Sequence, residues 1–175
     1  MKLFTRSYAF RMVAVIAAAL LLSSAAFAVK PASSVEISIL MGQARQDAVL
    51  ADKDMTALES YSMAGVPWQV HFLRLQEIQV HVNDLMKDVN QLRAIESNGT
   101  PSQQDAINRL DSLVSSMAAN VRVTIKYLNQ NHSRVNMPPF NDQVHIDRLL
   151  INSIYNVTRA HAPKNNMYFA DAPKK

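Results

Sequence analysis

The 175 residues carry 18 Lys and Arg against 14 Asp and Glu, a formal charge of +4, and no cysteine. The missing thiols exclude disulfides, thiolate metal sites, cysteine nucleophiles, covalent c-type haem attachment and a lipidated N-terminal cysteine. The charges alternate in sign, without a basic block or an aromatic-interleaved basic stripe, so nucleic acid is not an expected partner.

Lys2, Arg6 and Arg11 open the chain, and an uncharged apolar run follows from Met12 to Leu22. Ser23, Ser24, Ala25 and Ala26 lead into the triplet Ala26-Phe27-Ala28. Charged, apolar and small-residue segments in that order predict a secretory signal peptide over residues 1–28, cleaved after Ala28. A spanning helix needs about 20 apolar residues, and this run dissolves into serine and alanine sooner, so no stable membrane anchor is expected after cleavage. Cleavage removes three of the 18 basic residues and leaves 15 against 14 acidic ones. Most of the positive charge is therefore lost with the signal. The 147 residues that remain suit a single domain, since chains of ~150 residues bury about 70% of their unfolded surface. An alanine-rich signal without cysteines favours a bacterial protein of the periplasm or the extracellular medium. The sequons at Asn98, Asn131 and Asn156 would then carry no glycan.

Residues 29–33 read as a tether, and Ser33 with Glu36 forms an S-x-x-E capping box. Ile37, Met41, Ala44, Ala48, Ala51, Met55 and Leu58 then recur at steps of four and three, one stripe of a first helix. Gly42 falls off that stripe. Gly65 breaks the helix, and Pro67 suits the first turn of a second. There the stripe is Trp68, His71, Leu75, Ile78, Val82, Leu85, Val89 and Leu92, with Asn98 and Gly99 expected to end the helix in a left-handed turn. Thr100, Pro101 and Gln103 start a third helix with a second capping box, and its stripe runs Ile107, Leu110, Val114, Met117, Val121, Thr124, Leu128. Residues 130–139 form a connection rich in asparagine. A fourth helix is expected over residues 140–161, with Ile146, Leu149, Leu150, Ile154 and Val157 on its core face and Val144, Ile151 and Tyr155 widening it. Pro163 stops it, and residues 162–175 form a tail containing Met167-Tyr168-Phe169.

Four such stripes and short connections predict an all-α, up-down-up-down four-helix bundle over residues 34–161. Long helical hairpins that bury their stripes by dimerising have the same spacing and are the alternative.

Few residues suggest chemistry. Ferritin-like di-metal bundles need inward Glu-x-x-His pairs, and none is present. Glu77, His81 and Asp84 read instead as a solvated helix face. G-x-S-x-G, H-E-x-x-H and glycine-rich loops are absent too, so an enzyme is not expected. An antiparallel bundle would gather His71, His132 and His145 at one end, with Met63, Met137 and Glu59 nearby. Imidazole with thioether suits copper, and a His/Met pair suits b-type haem iron. The simpler expectation makes His71 a core histidine bonded to a backbone carbonyl or to Glu59, and the methionines gap-fillers.

The layout resembles exported bundles such as the periplasmic cytochrome b bundles and the ligand-sensing bundles of chemoreceptors. Neither supplies a motif that matches residue by residue, and architecture alone does not license function. The expected role is a non-enzymatic interaction or structural module of the cell envelope, acting through a helix face or the tail, as monomer or homodimer and without a cofactor. The alternative is a haem- or copper-binding bundle.

The signal reading makes one direct prediction. N-terminal sequencing of the exported protein should give a chain that begins at Val29, and a membrane-bound chain retaining Met1 would refute it.

Overall fold

The computed structural model describes residues 34–135 and 137–163, the side chain of Met63 excepted. The expected signal peptide, the tether with its Ser33 cap, and the Met167-Tyr168-Phe169 segment lie outside these residues. Four α-helices follow one another: α1 (Ser34–Ala64), α2 (Trp68–Ala94), α3 (Pro101–Gln130) and α4 (Pro138–His161). Single 3-10 turns, Glu96–Asn98 and His132–Arg134, sit in the second and third connections. No strand occurs among the described residues, and none of their helices is long and apolar enough to cross a membrane.

The helices form a closed ring. α1 packs against α2 and α4, and α3 packs against those same two, so each helix lies between two antiparallel neighbours. This is the up-down-up-down bundle, and the stripes bury one another within one chain. All seven stripe residues of α1 are fully buried, as are Leu75, Ile78, Leu85 and Leu92 of α2 and Ile107, Leu110, Met117 and Leu128 of α3. Each buried Leu, Ile or Met contributes roughly 1.5–3 kcal/mol relative to exposure. Ala44, Ala48 and Ala51 let α1 approach its neighbours closely, because the distance between helix axes follows the side chains at the contact. Gly42, beside that stripe, is buried as well.

The fourth helix departs from expectation in its register. Its buried positions are Phe140, Val144, Asp147, Ile151, Ile154, Val157 and Thr158, whereas Ile146 and Leu149 are 42% and 54% exposed. The apolar count favoured the 146–149–150 side, but the core face passes through a buried carboxylate. Asp147 occupies a stripe position and hides it. The helix also starts earlier, because Pro138 and Pro139 fit the first turn, where a missing N–H is no loss.

The turns divide the glycine roles differently from the expected pattern. Gly65 has φ +65° and makes the left-handed turn after α1. Pro67 precedes α2 as its cap residue, with Trp68 the first helical residue. Gly99 is extended, and the reason for glycine there is space. A Cβ would lie 2.8 Å from Ile37 Cδ1 and 3.2 Å from the Glu96 carbonyl oxygen.

The capping box of α3 forms as expected. Gln103 N–H donates to Thr100 Oγ1 at 3.3 Å, and Thr100 N–H to Gln103 Oε1 at 3.0 Å. The same glutamine donates through Nε2 to the Ser34 carbonyl at 2.9 Å, tying the first turn of α1 to the start of α3.

The corrected register is testable by paired substitutions. Leu110→Ala should lower stability by about 2–5 kcal/mol, as a buried leucine truncation leaves a cavity. Leu149→Ala should stay within about 0.5 kcal/mol, as exposed substitutions do. Chemical denaturation of the two variants checks both values.

Candidate functional site

Polar side chains that must be matched inside the bundle gather in three places. The first is the end where α1 finishes and α2 begins. His71 is fully buried there, with its ring edge-on to Tyr61 at 6.2 Å and to Phe140 at 5.5 Å between centroids. Its Nε2 lies 3.2 Å from the Val66 carbonyl oxygen in the turn that Gly65 opens. That contact requires the proton on Nε2 and leaves Nδ1 as a lone pair, enclosed without a hydrogen-bond partner. Burial lowers the His71 pKa below its usual value, and the Val66 contact offsets part of that fall. The ring is a neutral core histidine whose partner is a carbonyl. Glu59 instead pairs with Arg148 across the α1–α4 interface.

The structure sends the other two histidines elsewhere. His132 stacks on Trp68 with centroids 3.8 Å apart and planes 9° from parallel. His145 is exposed on α4 and lines a shallow groove with Glu59, Ser62, Asn141 and Val144. Met137 is exposed. The three imidazoles thus share one end of the bundle but occupy three environments. Among the described residues, no three His, Cys, Asp or Glu side chains group as metal ligands.

The second place is the seam between α1 and α2. Asp54, nearly buried, receives Arg74 on Oδ1 at 2.7 Å and faces His81 Nε2 from Oδ2 at 3.2 Å. Arg74 also reaches Glu77 at 2.6 Å and Tyr61 Oη at 3.3 Å. His81 is therefore turned across the interface and does not lie on a solvated face. The expectation failed because helical spacing located His81 beside the stripe without showing the carboxylate on α1 opposite it. Further along the seam, Asp47 of α1 and Asp88 of α2 lie close enough to shift one another's titration. Burial, repulsion from Asp47 and the hydrogen bond to it push Asp88 up to about 7. Burial raises Asp47 as well, with the bond from Asp88 acting the other way.

Asp147 is the third. It is fully buried and accepts from Asn120 Nδ2 at 2.9 Å, with Thr124 Oγ1 at 3.1 Å from its second oxygen. Burial raises its pKa to about 6, against the lowering effect of those two partners. Thr124 also lies 3.0 Å from the Asn120 carbonyl. Its single hydroxyl proton can serve that carbonyl when Asp147 is protonated, or the carboxylate when it is not. Both charge states are satisfied without moving a helix.

The described surface is grooved rather than deeply cleft. A groove of about 630 Å³ runs between the first half of α3 and the last half of α4, and one of about 270 Å³ lies between α2 and α3. No protein family, curated protein or solved structure matches the chain.

Asp147 dictates a pH dependence of stability. Its native pKa of about 6 lies above the ordinary 3.8, so the folded state binds the extra proton between those values. The associated stability is complete at low pH and is lost as pH rises through about 6. From pH 5 to pH 7.5 the loss amounts to about 1–2 kcal/mol. His71, with a lowered pKa, contributes in the opposite sense, so a difference measurement is required. The stability of the parent relative to Asp147→Asn, followed by denaturant melts at both pH values, should fall by that amount, and a constant difference would refute the assignment.

Proposed function

We propose that this chain is an exported, non-enzymatic interaction or structural module of the cell envelope, which meets a protein partner through an outer helix face. Export rests on the charge order, apolar run and Ala26-Phe27-Ala28 triplet at the start of the chain. The non-catalytic reading draws support from how the polar groups are used. Asp54, Asp88, Asp147 and His71 are engaged with neighbouring helices or with the backbone, and none faces a groove of substrate size alongside a second reactive group.

One observation carries the interaction reading. Leu73 and Val80 of α2 are 60% and 56% exposed, and their spacing of seven puts them two turns apart on one face. Large apolar side chains repeated along one exposed face mark an interaction surface more than a single stray leucine does. A partner helix or strand laid along α2 would remove both from water. The histidine end has less behind it as a haem or copper site, since His71, His132 and His145 occupy three separate environments there.

A photo-crosslinking residue at Gln76, between the two side chains, tests the interaction. Irradiated envelopes should yield a discrete crosslinked species. That species should disappear in the Leu73→Glu, Val80→Glu variant, whose helicity and melting temperature stay at parental values. Its absence from the parent, or its persistence in the variant, would sink the proposal.

A further inference from the structure

Asn98 and Gly99 lie in the connection between α2 and α3, and nowhere else in the sequence does asparagine precede glycine. Asparagine is a chemically labile residue. It is most exposed to attack when glycine follows, because no side chain then hinders the next backbone nitrogen from reaching the amide carbon. Packing holds glycine at this position. A Cβ there would lie 2.8 Å from Ile37 Cδ1 and 3.2 Å from Gln103 Cβ. The fold therefore retains the residue that leaves Asn98 open to attack.

Local structure governs when the attack can occur. Asn98 is exposed and is the last residue of the 3-10 turn Glu96–Asn98. The attacking nitrogen is engaged, since Gly99 N–H donates to the Glu96 carbonyl at 2.9 Å, and Asn98 N–H to the Ile95 carbonyl at 3.0 Å. Asn108 Nδ2 donates to Glu96 Oε1 at 2.7 Å and fastens the turn to α3. A single 3-10 turn at the surface opens locally far more often than the bundle unfolds. Each opening frees the Gly99 nitrogen.

We propose that Asn98 is a site of spontaneous deamidation, gated by opening of the 96–98 turn, and that its isoaspartate product loosens the join between α1 and α3. The Gly99 nitrogen forms a bond to Asn98 Cγ and closes a succinimide ring. The Cγ–Nδ2 bond breaks, and the proton lost from Gly99 through solvent is made up on the departing ammonia. Water then opens the ring at either carbonyl, giving aspartate or isoaspartate. One water enters and one ammonia leaves, with no oxidant or cofactor. The two products act differently. Aspartate adds a negative charge just before α3, where a helix N-terminus favours it. Isoaspartate inserts a main-chain methylene directly before Gly99, which is already tight against Ile37. It displaces the Thr100 cap and, through Gln103, the bond to the Ser34 carbonyl.

The purified full chain, held in mildly alkaline buffer and followed by peptide mass mapping, tests this. A gain of about 1 Da should appear at Asn98 roughly tenfold faster than at Asn90 or Asn152, which are exposed within helices. Asn108→Ala, which unfastens the turn from α3, should raise the rate at Asn98 about threefold and leave Asn90 unchanged. The isoaspartate form, separated by ion exchange, should melt below the Asn98→Asp variant, which melts at or above the parent. A rate at Asn98 no greater than at Asn90 would overturn the site. Indifference to Asn108→Ala would overturn the gating, and an isoaspartate form as stable as Asn98→Asp would overturn the loosened join.

Discussion

Each helix carries one apolar stripe at steps of three and four, and each stripe is too wide to be hidden by a single neighbour. A hairpin covers one flank of each stripe and leaves the other wet. Closing four antiparallel helices into a ring covers both flanks of all four. At 1.5–3 kcal/mol for each large side chain, the buried set outweighs any other group of contacts in the molecule. Caps, turns and ion pairs then fix the details of a fold that this burial requires. With no disulfide to share the task, the alanine positions of α1 gain importance, since they set how tightly the ring can close.

The polar groups caught inside obey a different constraint. A carboxylate removed from water needs donors, a neutralising cation or a proton. Asp54 takes the cation, Arg74, with His81 Nε2 facing its second oxygen. Asp147 takes donors from Asn120 and Thr124, while burial beside Asp47 pushes Asp88 toward its protonated form. Each solution joins two neighbouring helices, so polar groups confer register where apolar contacts alone would tolerate sliding. Replacing such groups by apolar ones of similar size is often neutral or stabilising in proteins, which makes specificity of packing the better account of their presence.

How far the sequence could be read depended on whether polar residues interrupted a stripe. α2 and α3 keep uninterrupted three-four patterns, and their expected stripes are buried apart from the half-buried Trp68, with Gln103, Ala106 and Ala118 joining the face of α3. Thr100, Pro101 and Gln103 announce the start of α3, because capping is a local event between neighbours in sequence. α4 was legible as a helix and not as a face, because Asp147 sits in the core on account of two side chains some 25 positions away in α3. The same holds at the seam. Neither the pairing of His81 with Asp54 nor the reason for Gly99 can be deduced from local spacing, as each depends on an atom of α1. His71 could be placed in the core by period alone, but the Val66 carbonyl it meets belongs to a turn whose path is set by the positive φ of Gly65.

The ring topology also governs the order in which the protein can assemble. α1 packs on α2, its nearest neighbour in sequence, and on α4, its most distant. A chain emerging N-terminus first can zip α1 to α2 at once, since such local pairing is fast. The other flank of α1, alanine stripe included, must wait for α4, and the first turn of α1 must wait for Gln103 to reach the Ser34 carbonyl. During that interval a half-covered apolar surface is open to whatever is nearby, the situation in which newly made chains aggregate or need a holding factor. α1 is thus the first helix to appear and the last to be enclosed.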